Sequence, residues 1–444
     1  MSGNAATARP LGGFDATTAG IGSIIGAGVF IVFPAAVSAD GGSLALPLVI
    51  AAVVAYACGV AIYQISSALN EGQANYDDGG TRAARVILGP TAAFVTGWVF
   101  LCSRLAAAAV AALMLGTYLA PGNAVAVAVA AVVLTAVLNL LGASRSDWVS
   151  RFVVAFVVAV LAFVAVVAFN SDLPGGTPKL ATLPEPGFAG LLESSALLYF
   201  AFIGYGYLAS LGPHVRSPAR NIPLALPAAI AVVLGLYLVL GQSLLDFFGP
   251  ASLAAEPAPI LVPAAEPAPI LVPAAELSGG VGTGAVLIAA AAAGLGALSA
   301  LNAGCARIGA AMAEEGELAP VFGRRRALLR GRPAVPWVGI TAGAAVVVGL
   351  VLAFPLTTLL GVAAFTGLLY AGGTAVIAFT LRKRHWYTPR VLNVLGIAGA
   401  LLLALSLPLL DISLGLMAIA AGAIVRLTFR RGRGDAGGRG RPAP

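Results

Sequence analysis

Charge is what this chain has least of. Only 10% of its 444 residues are Asp, Glu, Lys or Arg, against roughly 25% in an average soluble domain. That shortfall leaves no room for a sizeable water-soluble domain. Histidine is scarcer still, with two residues, His214 and His385, both in connections between apolar segments. A nucleophile–base pair or a His-Glu-x-x-His metal helix at membrane depth has nothing to be built from. The three cysteines, Cys58, Cys102 and Cys305, lie in apolar segments, and an odd number so placed excludes a disulfide framework. No Walker phosphate loop occurs, which excludes direct use of ATP. Nor is there a charged-then-apolar start with a small-residue cleavage site, so the first apolar segment is expected to stay as an anchor. An enzyme is not expected, and neither is a cofactor or a metal.

What the chain has is apolar length. Hydrophobic residues make up 59% of it, and a bilayer needs about twenty in a row. Such runs predict an all-α integral membrane protein with twelve transmembrane helices. They fall at roughly 14–39, 44–69, 91–119, 123–142, 152–170, 190–211, 222–246, 281–312, 335–354, 357–381, 390–407 and 409–427. The basic residues test this assignment. With the N-terminus cytoplasmic, the inside connections hold Arg82, Arg85, Arg145, Arg151, Arg216, Arg220, the cluster Arg324–Arg332, Arg382–Arg390 and the tail from Arg430. The outside connections hold Lys179 among Asp172, Glu185, Asp246, Glu256, Glu266, Glu276 and Asp411. That is a positive-inside pattern, and one helix too many or too few would invert everything after it. The net charge of +7 thus reports topology and the lipid bilayer as partner, not nucleic acid. Both termini are expected in the cytoplasm, and the arginine, alanine and glycine usage suggests a GC-rich bacterial source. Ala254–Pro263 is repeated without change at Ala264–Pro273. Two ten-residue copies do not make a solenoid, and a tandem duplication in a tolerant outer loop suffices. The tail after Arg430 is expected to be a disordered cytoplasmic end.

Within run 1, Gly20–Pro34 reads Gly-Ile-Gly-Ser-Ile-Ile-Gly-Ala-Gly-Val-Phe-Ile-Val-Phe-Pro. Interior glycines each cost a helix about 1 kcal/mol. Non-helical backbone at membrane depth survives only inside protein or against a wet cavity. A break there would leave free N–H groups for a carboxylate and free C=O groups for an ammonium or a cation, which together suit a zwitterion. Close packing of neighbouring helices is the other use of such glycines. Run 6 is interrupted again, at Tyr199-Phe-Ala-Phe-Ile-Gly-Tyr-Gly-Tyr207. Interrupted segments five helices apart point to two inverted five-helix units.

With these segments the chain resembles the amino acid–polyamine–organocation permeases over nearly its whole length. The resemblance rests on Gly22-Ser-Ile-Ile-Gly-Ala-Gly-Val-Phe30, on Phe200-Ala-Phe-Ile-Gly-Tyr205 and on Arg216-Ser-Pro-Ala-Arg-Asn-Ile-Pro-Leu-Ala225. It extends to Ser299-Ala-Leu-Asn302 with Arg307, Met312-Ala-Glu-Glu-Gly-Glu-Leu-Ala-Pro320, and Gly79-Gly80 through Leu88-Gly89-Pro90. It implies a five-plus-five inverted repeat with broken helices 1 and 6 plus two extra helices. The divisions would be a cytoplasmic N-tail 1–13, a first repeat 14–170, a second 190–382, helices 11 and 12 at 390–427 and a cytoplasmic tail 428–444. It also implies a substrate at the two breaks, around Gly26 and Gly204. The N–H groups of Ala27 and Gly28 would take the α-carboxylate, and the carbonyls of Ile24, Phe200 and Ile203 the α-ammonium. The ring of Phe200 or Phe202 would cover the substrate, unless both are ordinary packing. The sequence departs from the family's patterns twice. Gly206 stands where an acidic residue is frequent, and Val157 where some proton-coupled members carry lysine. Ser299 is left as one possible element of an ion site, with proton and sodium coupling both open.

Arg104 lies about thirteen residues from either end of run 3, roughly 20 Å along the helix and too deep to snorkel with ease. A central arginine costs at least ~2.5 kcal/mol, so it should face the bundle interior. Its partner would be a substrate carboxylate or the free carbonyls of a broken helix. The function so read is a secondary active transporter of amino acids working by alternating access. The alternatives are a sensor or receptor on the transporter fold, or a permease for polyamines or other amines. A polycation would be repelled by Arg104.

Overall fold

The computed structural model describes residues 12–40, 43–68, 79–142, 147–169, 187–211, 215–248, 250–254, 281–328, 333–381 and 388–438. The N-tail to residue 11, most of the tandem repeat and the last six residues lie outside the described residues. Every one of the twelve apolar runs is helical, and two are in pieces. Run 1 forms α1 (Gly13–Ile24), a 3-10 turn (Ala27–Phe30) and α2 (Val32–Asp40). Runs 2 to 5 form α3 (Ala45–Ala68), α5 (Pro90–Leu119), α6 (Ala124–Leu140) and α7 (Asp147–Phe169). Between the first two of these lies α4 (Gly79–Leu88), which the search for apolar runs passed over because it is amphipathic. Run 6 forms α8 (Phe188–Tyr199), a 3-10 turn (Phe200–Phe202) and α9 (Tyr205–Ser210). Then follow α10 (Pro218–Phe248), the short α11 (Pro250–Ala254), α12 (Val281–Glu314), α13 (Trp337–Ala353), α14 (Leu356–Thr380), α15 (Arg390–Leu405) and α16 (Leu409–Gly438). α16 stays helical well past the expected end at 427. Arginine is a good helix former, and it carries the helix into the segment expected to be a disordered tail.

Seven helices among the described residues are long and apolar enough to cross a membrane: α3, α5, α6, α10, α12, α14 and α16. Runs 1 and 6 fall short as single helices because each is cut at its glycines. α13 and α15, with 17 and 16 residues, reach about 24–26 Å at 1.5 Å per residue, slightly under the ~30 Å hydrocarbon core.

The helices pack as two groups. α1, α2, α3, α8, α9 and α10 touch one another, and so do α5, α6, α12 and α13. Lipid offers no hydrophobic drive for this, so small residues set the distances. A Cβ on Gly116 of α5 would stand 2.0 Å from the Ala124 carbonyl oxygen of α6. One on Gly339 of α13 would stand 2.9 Å from Ala306 Cα of α12. α14 lies between the groups, against both α3 and α5. The last two helices then divide. α15 is fastened to α3, where Asn393 Nδ2 donates to Gln64 Oε1 at 3.1 Å. α16 is fastened to α5, where Trp98 Nε1 donates to the Ala418 carbonyl at 2.9 Å.

One charge cluster ties together two connections and the end of run 12, which the sequence puts on the same side. Arg426 of α16 donates from Nε to Glu317 at 2.9 Å, just after α12, and its guanidinium covers Phe94 at 4.9 Å. Arg85 of α4 lies 3.6 Å from Glu317 and pairs with Glu315. A charge pair this dry persists only when both partners are present.

Candidate substrate-binding site

The two cut helices meet at their cuts. α1 stops at Ile24, and Ile25 (φ −75°, ψ 84°) and Gly26 (φ −110°, ψ −153°) turn the chain out of the helix. It re-enters as the Ala27–Phe30 turn and resumes as α2. Gly204 of run 6 lies against this break so closely that a Cβ there would stand 1.8 Å from the Ser23 carbonyl oxygen. On the other side, a Cβ on Gly28 would be 3.2 Å from Ala201 Cα and 3.3 Å from the Phe200 ring. Two backbones can approach like this only where side chains are missing. Gly26 differs, because a Cβ there would meet nothing within 4 Å. The glycines therefore do two jobs: Gly204 and Gly28 allow contact, and Gly26 borders open space.

Buried backbone polar groups need partners, and most of those freed by the breaks have them. The Phe30 carbonyl accepts the Tyr118 hydroxyl of α5 at 2.9 Å, and the Ala201 carbonyl accepts the Tyr237 hydroxyl of α10 at 3.3 Å. Ser23 Oγ shares its proton between the Gly20 carbonyl of its own helix at 2.8 Å and the Gly204 carbonyl at 3.0 Å, and so links the two breaks. The Ile24 carbonyl accepts the Gly26 N–H at 2.9 Å, and the Phe200 carbonyl accepts the Ile203 N–H at 3.3 Å, each keeping a second lone pair. Several others have no backbone partner, and three of them matter here. Among the described residues, no backbone acceptor takes the N–H of Ala27 or of Gly28, and no backbone donor reaches the Ile203 carbonyl. Two adjacent donors thus lie at one break and an acceptor at the other, next to the space at Gly26.

The residues expected at the site divide accordingly. Ile24, Gly26, Ala27, Gly28, Phe200, Ile203 and Gly204 come together. Phe202 turns away and is fully buried on Tyr237 of α10, with ring centroids 5.3 Å apart. The guanidinium of Arg104 lies 4.7 Å above the Phe100 ring, which stacks on Tyr370 of α14 at 4.4 Å. Its neighbour Ser103 and the break residue Ile203 both pack on Gly367 of α14. Ser299 Oγ donates to Asn139 Oδ1 of α6 at 2.9 Å, while Asn139 Nδ2 donates to the Ser299 carbonyl at 3.0 Å. That pair leaves the lone pairs of Oγ as its remaining bonding capacity. Sequence reasoning missed Tyr118 and Tyr237, which hold the break carbonyls. The available signal was a lone tyrosine hydroxyl within an apolar run, since such a group must find a partner.

The profile of the amino acid permease family matches residues 11–423, a stretch that includes both breaks. The chain belongs to the amino acid permease family. This permease is 33% identical to an uncharacterised transporter of Mycobacterium tuberculosis over 96% of its own length and 93% of the relative's. It is 25% identical to the branched-chain amino acid permease BcaP of Bacillus subtilis over 58% of its own length and 59% of the relative's. It is 28% identical to the vacuolar cationic amino acid transporter 2 of Arabidopsis thaliana over 50% of its own length and 38% of the relative's. The permease is thus a multi-pass membrane transporter of the amino acid–polyamine–organocation superfamily.

Proposed function

We propose that the permease is a secondary active transporter that carries amino acids across the cytoplasmic membrane by alternating access. The observation that carries this reading is the meeting of two broken helices beside open space, with the Ala27 and Gly28 N–H groups and the Ile203 carbonyl unused by the backbone. The α-carboxylate sits on those N–H groups. The α-ammonium sits on the Ile203 carbonyl and the second lone pairs of Ile24 and Phe200. Phe200, against Gly28, covers the bound molecule. The names of the branched-chain and cationic amino acid relatives favour the same substrate class.

The packing supports a five-plus-five repeat. If runs 1–5 correspond to runs 6–10, each contact should recur five runs later. α1 on α10 has its counterpart in α8 on α3, and α5 on α13 in α12 on α6. α5 on α14 has its counterpart in α12 on α7, and α3 on α14 in α10 on α7. The two packing groups are then the bodies that rock about the site. Twelve transmembrane helices with both termini cytoplasmic agree with the charge cluster, which unites two connections and a helix end assigned to the inside. Arg104, held on Phe100 next to the residues that reach the break, faces the cavity and answers a substrate carboxylate. Ser299 contributes its lone pairs to a cation site, and the coupling ion is a proton or sodium.

Uptake by purified protein in liposomes tests the reading, with labelled amino acids, polyamines and sugars, under pH or sodium gradients. Accumulation of one amino acid class against its gradient is expected. Folded protein that accumulates none of them refutes the transporter reading and favours a receptor.

A further inference from the structure

A second cavity, of about 530 Å³, lies between α3, α10 and α15 and is separate from the breaks. Its wall includes Leu224 and Leu392. Leu224 is 64% exposed, so the cavity opens outward from the bundle, to the bilayer. Arg220, in the first turn of α10, lies at the end that carries the basic connections, and it too is exposed. Arg390 starts α15 next to Pro389, another wall residue, and is likewise exposed. Neither arginine has an acidic partner among the described residues.

The backbone of α10 adds acceptors. Pro223 and Pro227 lie inside the helix and bring no N–H, so the carbonyls four residues earlier, at Ala219 and Pro223, lose their helical donors. Both of those residues line the cavity. The half-buried Tyr56 of α3 places a hydroxyl in the same wall. The walls of an apolar slot open to lipid thus include an arginine, a tyrosine and two residues whose carbonyls lack a helical donor.

We propose that this cavity is a binding site for an anionic phospholipid of the cytoplasmic leaflet. The phosphate pairs with Arg220, in the manner of basic pockets between membrane helices. A hydroxylated headgroup donates to the carbonyls of Ala219 and Pro223. An acyl chain runs along Leu224 and Leu392. The site rests on the membrane placement of the chain and not on what it transports.

Native mass spectrometry of the full-length protein in detergent, offered equal amounts of phosphatidylglycerol and phosphatidylcholine, tests it. The native chain should retain phosphatidylglycerol about tenfold better, the worth of one charge-assisted contact. Arg220→Gln should bring the two lipids to near parity. Leu224→Trp keeps the charge and fills the slot, so it should lower retention of phosphatidylglycerol to a similar degree. Both side chains point out of the bundle, so neither change disturbs the core. Equal retention of the two lipids by the native chain overturns the proposal. So does an Arg220→Gln variant with the native preference, because the arginine is then only surface charge, or a Leu224→Trp variant that retains as much phosphatidylglycerol as the native chain, because the slot is then not where the lipid sits.

Discussion

Replacing Gly204 by alanine tests the contact between the two breaks. The added Cβ would stand 1.8 Å from the Ser23 carbonyl oxygen, 2.4 Å from its carbon and 2.8 Å from Ile24 Cα. All three are backbone atoms, so no rotamer change relieves the clash. An ordinary contact starts at 3.4 Å, so the breaks must part by about 1.6 Å, an overpacking that typically costs about 1–3 kcal/mol. The same shift breaks the Ser23 hydroxyl contact with the Gly204 carbonyl, worth less than about 1 kcal/mol because the hydroxyl keeps the Gly20 carbonyl. It also pulls the Ile203 carbonyl away from the Ala27 and Gly28 N–H groups. Losing two charged backbone contacts at about 1.5 kcal/mol each weakens substrate binding by roughly 100-fold. Gly26→Ala is the control. Its Cβ meets nothing within 4 Å and its dihedrals are open to any residue, so the fold should be untouched while the methyl occupies the substrate's space. The assay is binding and uptake in liposomes, with thermal unfolding measured on the same preparations. Gly204→Ala should lose both stability and binding, and Gly26→Ala binding alone. A Gly204→Ala protein of native stability and near-native uptake would refute the contact between the breaks as the organising feature of the site.

Other predictions follow from the flanking residues. Arg104→Gln should reduce the preference for acidic over neutral substrates by about tenfold or more, measured by competition for uptake; unchanged selectivity and affinity would remove Arg104 from the substrate's contacts. Arg426→Gln should destabilise the protein by about 2 kcal/mol, less than the ~3–5 of a fully stranded buried charge, because Arg85 remains 3.6 Å from Glu317. The double change Arg426→Gln with Glu317→Gln should recover part of that loss in a thermal unfolding series, and no recovery would mean that the pair is not coupled. Tyr237→Phe should cost about 1 kcal/mol, the usual worth of one hydrogen bond, and should lower uptake as the Ala201 carbonyl loses its donor; unaltered uptake would show that this carbonyl needs no tether. Ser299→Ala should weaken the dependence of uptake on the coupling cation, and an unchanged ion dependence would leave Ser299 as a partner of Asn139 alone.

The long apolar runs were legible because a bilayer imposes a length on every helix that crosses it, and composition records that length directly. The breaks at Gly20–Pro34 and Tyr199–Tyr207 were legible because glycine is costly in a helix interior. α4 was harder to see, since an amphipathic stretch of 10 residues carries no long apolar run. Phe200 and Phe202 are two residues apart in one motif, and sequence could not say which ring meets the break. On a 3-10 turn that spacing turns the two rings to different sides, so Phe200 lies on Gly28 and Phe202 on Tyr237. Arg104 could be assigned to the bundle interior from its depth alone. Its seat on Phe100 follows from the four-residue spacing, but the stack on Tyr370 joins residues 270 positions apart and needed the fold.

The sequence by itself determined that the chain is helical and where two helices break. Those properties follow from local composition, because burial in lipid acts on each segment separately. Only the tertiary structure decided which glycine permits contact and which borders space. It also decided which freed carbonyls are held by Tyr118, Tyr237 and Ser23, and which backbone groups at the breaks have no backbone partner. These properties depend on approaches between segments up to about 180 residues apart, such as Ser23 with Gly204, and the free energy of such an approach is recorded in no single stretch of sequence.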